Sequence, residues 1–173
     1  MTSTAILNDP HAGRVINSLS LPSLIRLVSE IDDNGPISHR RGSLQGAFGD
    51  LTRNQLRYAI DVAHALGLVY VTDQQSARYR LTAAGEDLAA MYDTVARWSR
   101  THQLPATASD FVTRVQHTLK LLGDDDTVLA AEADLALGHL RTTLADWLHT
   151  HPQTLDAVAS RSSRTAGETE YAA

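Results

Sequence analysis

The stretch from Leu51 to Leu81, LTRNQLRYAIDVAHALGLVYVTDQQSARYRL, constrains the fold most, because its local signals specify helix, strand, turn and strand in direct succession. Thr52 and Gln55 form a T-x-x-Q capping box, in which the hydroxyl accepts from the third amide and the glutamine folds back onto the cap amide. Leu56, Ala59, Ile60, Ala63 and Leu66 then recur at intervals of three and four, one apolar stripe of a helix. Gly67 stands where a left-handed C-terminal cap is expected, and Leu68 to Thr72 is β-branched and aromatic. The polar Asp73 to Ala77 suits a turn, and Arg78-Tyr79-Arg80-Leu81 alternates as a half-buried return strand does.

The face opposite the stripe carries Arg53, Asn54, Arg57, Tyr58 and Asp61. Arginine offers a two-pronged donor to guanine or phosphate, asparagine pairs with adenine edges, and tyrosine donates to phosphate, so the face suits a major groove. It also suits plain solvation, since exposed helices commonly carry arginine. Arg78 and Arg80 share one strand face and can both point at a flanking DNA backbone. Helix and hairpin together read as the recognition helix and wing of a winged helix-turn-helix. The fold expected is mostly α with a small β-hairpin wing, followed by C-terminal dimerisation helices.

Tyr79-Arg80-Leu81-Thr82-Ala83-Ala84-Gly85-Glu86-Asp87-Leu88 resembles the Y-x-L-T-x-x-G-x-x-L signature that closes the wing in winged-helix bacterial regulators of the HxlR, MarR and PadR type. Leu66-Gly67-Leu68-Val69 is similar to their L-x-x-x-G-L-V helix end. The likeness runs over roughly Ser23 to His102 and implies a DNA-binding regulator, often one that senses a small molecule. Two departures stand out: the chain has no cysteine, so the redox sensing of part of the HxlR group does not operate, and His39 to Asp50 is glycine-rich.

A net charge of −5 opposes phosphate binding, but its distribution matters more. Residues 1–103 hold ten basic and ten acidic side chains, residues 104–173 five and ten, while Ser38 to Thr82 holds six arginines against three aspartates. Positive charge therefore gathers on the helix and wing. Zero cysteines also exclude disulfides and thiolate metal sites. No apolar run approaches a membrane span and no basic-then-apolar leader opens the chain, so a cytoplasmic protein without membrane partners is expected.

Outside this stretch, four parts are expected: an arm over 1–20, a DNA-binding domain over 21–103, a helical dimerisation and effector region over 104–159, and a disordered tail over 160–173. Met1 to Pro10 reads as frayed, and Val15, Ile16 and Leu19 make a short helix that either pairs with a sister subunit or lids its own core. Pro22 opens a helix ended by Asn34-Gly35-Pro36, and Ile37-Ser38 reads as a small first strand. His39 to Phe48 is the positioning helix, weakened by Gly42 and Gly46, with Ser38 as its cap and Arg40 and Arg41 facing either a DNA backbone or solvent. Leu88, Met91, Tyr92, Val95 and Trp98 continue a helix to His102; Phe111, Val115, Leu119 and Leu122 make another. Ala133, Leu137, Leu140, Leu144 and Trp147 are spaced four, three, four, three, a seam that another helix must bury, and Leu137, Leu140, Leu144 and Trp147 are its expected dimer contacts. Tyr92, Trp98, His117, His139 and Trp147 are the candidate wall of an effector pocket.

Other chemistry finds little support. The glycine-rich segment matches neither nucleotide-binding pattern, His149 and His151 lack a third ligand, and Asp124 to Asp126 is read as a solvated loop. No nucleophile motif is present, and neither metal, cofactor nor catalysis is expected. The expectation is a dimeric regulator, a repressor of a palindromic operator, reading it with Thr52, Arg53, Asn54, Arg57 and Tyr58 and released by an effector. The alternatives are a winged-helix protein-interaction module without DNA binding, and a helical small-molecule-binding protein or enzyme.

Overall fold

The computed structural model describes residues 4–72, 76–106, 110–124 and 126–170. Most of the helices start where the sequence offers a cap or a proline. Asp9 accepts from the His11 amide at 2.7 Å and opens α1 (Pro10–Leu19), and Pro22 sits in the first turn of α2 (Pro22–Asn34), where its missing amide costs nothing. β1 is Ile37–Ser38 and α3 is Arg41–Ala47. Arg40, rather than Ser38, is the residue before α3, and Ser38 Oγ accepts from the Arg40 amide at 3.3 Å.

α4 (Arg53–Ala65) begins at the full capping box: Gln55 N donates to Thr52 Oγ1 at 3.2 Å, and Thr52 N donates to Gln55 Oε1 at 2.9 Å. It ends in a Schellman motif. Gly67, at φ 69°, donates to the His64 carbonyl at 3.0 Å, and Leu68 donates to the Ala63 carbonyl at 2.8 Å. The chain is thereby turned straight into β2 (Val69–Val71), which pairs antiparallel with β3 (Arg78–Leu81). β1 adds to the other edge of β3, giving a three-stranded antiparallel sheet of order β1-β3-β2, with Ile37 opposite Tyr79 and Tyr70 opposite Arg80. Residues 73–75, at the expected tip of the hairpin, lie outside the described residues.

Thr82 joins the hairpin to α5 (Ala83–His102). Its hydroxyl donates to the Gly67 carbonyl at 2.6 Å and accepts from Gly85 N at 3.2 Å, while its own amide donates to the Leu68 carbonyl at 2.9 Å. The first turn of α5 is pressed so closely on that carbonyl that a Cβ at Gly85 would stand 2.2 Å from Leu68 O.

α6 (Phe111–Leu122), capped by Asp110, and α7 (Ala131–Thr150) pack on α5, and α8 (Gln153–Glu170) packs on α1. One apolar core runs through all these elements, from Ala12 to Val158. The side chain of Tyr92 lies wholly inside it and donates its hydroxyl to the Leu19 carbonyl at 2.8 Å. No described helix is long and apolar enough to cross a membrane.

Two expectations are corrected here, and one left open is decided. Leu137, Leu140, Leu144 and Trp147 do not form a dimer surface: they are at most 5% exposed within one chain, filled in by α5, α6 and a 3-10 turn over Thr4–Asn8. A four-three spacing records that a seam is covered, and here the covering helices are local. Of the two readings of the amino-terminal arm, the lid on its own core is the one found, with Val15 and Leu19 fully buried. From Ser160 the chain continues as helix to Glu170 instead of forming a tail, and 171–173 lie outside the described residues.

Two glycine substitutions separate packing from propensity. Gly46→Ala, where an added Cβ meets nothing within 4 Å, is expected to raise stability by about 0.5–1 kcal/mol. Gly85→Ala gains the same propensity but drives a methyl into the Leu68 carbonyl, and is expected to lower stability by about 1–3 kcal/mol; urea unfolding of both checks the opposite signs.

Candidate nucleic-acid interface

The capping box orients the first two turns of α4 and leaves their outer face bare. Arg53, Asn54, Arg57 and Tyr58 are all exposed, Tyr58 to 55% despite its ring. Neither Arg53 nor Arg57 makes an ion pair or hydrogen bond among the described residues, so both guanidiniums keep their full donor sets. On β3 the alternation sends Tyr79 inward and Arg78 and Arg80 outward, where they border a recess with Thr72 and Ser76. Arg40 is exposed ahead of α3; the side chain of Arg41 lies outside the described residues. The structure thus leaves Arg53, Asn54, Arg57 and Tyr58 together on one helix face and Arg78 and Arg80 together on one strand face, all open to solvent.

Residues with no local signature hold this surface in place. Arg26 of α2 grips Asp50 in a two-pronged pair, Nε to Oδ2 at 3.0 Å and Nη2 to Oδ1 at 3.2 Å, and sends Nη1 to Glu30 at 3.2 Å. Its guanidinium also lies over the Phe48 ring, 5.6 Å from the centroid. The turn from Phe48 to Leu51 that delivers the chain to Thr52 is therefore pinned to α2. Only the i, i+4 spacing of Arg26 and Glu30 was visible in the sequence; the link to Asp50 is non-local. The same grip takes one of the region's few carboxylates out of play.

Tyr79 is the inner anchor of the hairpin. Its ring lies 5.2 Å from that of His39 and 5.8 Å, edge-on, from that of His64, and burial, with Asp61 nearby, raises its pKa. On the far side of the sheet Arg80 shares a recess with Asp32 and Glu86. Burial, and then the neighbouring Asp33, Asp93 and Glu86, push the Asp32 carboxyl upward. Negative charge is therefore concentrated beside α2 and α5, and positive charge on α4 and the outer face of β3.

The five residues expected to wall an effector pocket are not brought together. Tyr92 is sealed in the core, Trp147 donates its Nε1 to the Ala84 carbonyl at 3.1 Å, and Trp98 packs on His102 with centroids 5.0 Å apart. His117 is half-buried on α6, its pKa lowered by burial and then by Lys120, while His139 is exposed on α7. None of the main recesses among the described residues is lined by more than one of the five. The periodicity that placed them on helices could not say which faces meet, and the helix contacts leave no shared space. A cleft with no signature among the sequence motifs lies instead between α3 and α4, with a volume of about 430 Å³.

His151, considered beside His149, pairs through Nε2 with Asp87 at 2.8 Å, and no three His, Cys, Asp or Glu side chains gather as a metal site among the described residues. Comparison with known proteins leaves this geometry to stand by itself: no family model matches the chain, and neither a curated protein nor a solved structure matches it.

The Arg26 grip has a pH signature. The guanidinium holds the Asp50 carboxyl below its usual range, against a smaller effect of burial. A carboxyl whose pKa is lowered by folding stabilises the fold above its unfolded value and loses that contribution as pH falls through the folded one. Asp50→Asn is expected to cost at most about 1 kcal/mol at pH 7, the pair being partly exposed, and the gap to wild type should close below about pH 4 in pH-dependent urea unfolding.

Proposed function

We propose that residues 23–102 form a winged helix-turn-helix that binds duplex DNA, and that the protein is a transcriptional regulator acting by occluding a promoter. α4 enters the major groove, where Arg53, Asn54, Arg57 and Tyr58 meet base edges and phosphates, and Arg78 and Arg80 lie on the flanking backbone. The observation that carries this reading is the set of four outward-facing guanidiniums on α4 and β3, none of them paired, beside a carboxylate, Asp50, that is tied to Arg26. Desolvating such groups costs little when phosphate replaces water, and each contact releases condensed counterions. The β2–β3 hairpin directly after a capped helix, joined by β1 in the sheet order β1-β3-β2, supports the fold assignment. Two copies on a palindromic operator have to pair through some surface other than the α7 seam, which the chain fills itself.

A second reading, a module of the same shape that binds a protein, is favoured by the acidic cluster around Asp32 and the overall charge of −5. Fluorescence anisotropy with mixed-sequence duplex at two salt concentrations separates the two. Under the DNA reading, affinity falls steeply with salt, and Arg53→Ala/Arg57→Ala weakens binding while reducing the log–log salt slope by about 2. Thermal melting should be unchanged in that variant, because both side chains are exposed and unpaired. No duplex binding at about 50 mM salt would exclude the DNA reading and leave the protein-binding one.

A further inference from the structure

The cleft between α3 and α4 has the construction of a ligand site. Its floor is apolar, made by Leu44 and Phe48 from one side and Leu56 and Ile60 from the other. Leu44 and Ile60 are only half-buried, so their apolar surface faces the opening instead of packing helix on helix. The glycine side of α3 is open: a Cβ on Gly42 or Gly46 would meet nothing within 4 Å. A volume of about 430 Å³ lies within the range of small-molecule sites, which are lined mainly by apolar side chains with a few polar groups to fix orientation.

The polar groups at the rim select the ligand. Arg53 and Arg57 are one turn apart on α4 and both border the cleft, two unpaired guanidiniums over an apolar floor. Asp61 borders it two turns beyond Arg53, about 12 Å along the helix axis, on the side of the buried Tyr79. A carboxylate is the natural partner of the arginine end, through charge-assisted and two-pronged hydrogen bonds. Asp61 disfavours a second negative charge at the other end. An apolar body bridges the two.

We propose that this cleft binds an amphipathic monocarboxylate, with the carboxylate on Arg53 and Arg57 and the hydrocarbon over Leu44, Phe48, Leu56 and Ile60. The site requires nothing of DNA. Its regulatory consequence rests on the duplex-binding reading: a ligand headgroup and a phosphate backbone would compete for the same two guanidiniums, so occupancy would release the operator.

The test titrates octanoate into the whole ¹⁵N-labelled protein without DNA and follows backbone amides. Saturable shifts confined to the neighbourhood of Leu44, Phe48 and Ile60 are expected. Octanamide, of the same shape without charge, should bind at least about tenfold more weakly, as should octanoate to Arg53→Gln/Arg57→Gln. Suberate, with a second carboxylate directed toward Asp61, should also bind more weakly than octanoate, and Asp61→Asn should narrow that difference. Ile60→Trp, which fills the cleft, should abolish the shifts in a protein whose thermal melting shows it folded. Absence of shifts, equal binding of octanoate and octanamide, or undiminished binding in the arginine variant would each overturn the site. Octanoate binding by a protein with no duplex affinity would keep the site and remove the DNA reading, so the two failures are distinguishable.

Discussion

The first turn of α5 lies directly on the backbone of Leu68, and the placement of the hairpin relative to the helices depends on that contact. Thr82 supplies three of its hydrogen bonds, to the Gly67 and Leu68 carbonyls and from the Gly85 amide, and Gly85 supplies the missing volume. The end of α4, the start of β2 and the start of α5 are thereby fixed to one point. The inward face of β3, through Tyr79, and the outward face, through Arg78 and Arg80, take their directions from it. These bonds are part-buried, so loosening the junction would leave their donors and acceptors incompletely satisfied.

A second fastening works on the other end of α4. The Arg26 pair with Asp50 ties the turn before Thr52 to α2, and the guanidinium covers Phe48 at the same time. Between these anchors α4 is fastened at both ends, whereas α3 is short and its Gly42 and Gly46 face open space. The cleft opens between the two helices. Charge follows the same division: the acids of α2 and α5 crowd together around Asp32, with Arg80 bordering them, and the arginines of α4 and β3 make no ion pair among the described residues.

What the sequence made legible was local. The Thr52–Gln55 box, the left-handed Gly67, proline in the first turn of α2 and the alternation of Arg78 to Leu81 each depend on residues within five positions, and each appears as expected. The outward orientation of Arg53, Asn54, Arg57 and Tyr58 follows from helical period alone. Which helices face one another does not. The α7 seam implied a partner without naming it, and the partner is the chain's own α5, α6 and amino terminus. Arg26 with Asp50 spans 24 residues, and His151 with Asp87 spans 64, distances at which spacing carries no signal. The polar composition of Ser160 to Glu170 suggested a tail, yet the segment is helical.

The two ends of the chain hold each other. α1 lies against α8, Arg14 reaches Ser162, and the turn over Thr4–Asn8 rests on α7, while Arg161 donates to the Asp61 carbonyl of α4 at 3.5 Å. Removing the amino-terminal segment would therefore uncover part of the α7 seam on which its turn rests, and removing α8 would uncover the face of α1 packed against it. The molecule does not offer a detachable module on a disposable scaffold; trimming it would convert interior into surface, and the piece left behind would be prone to self-association.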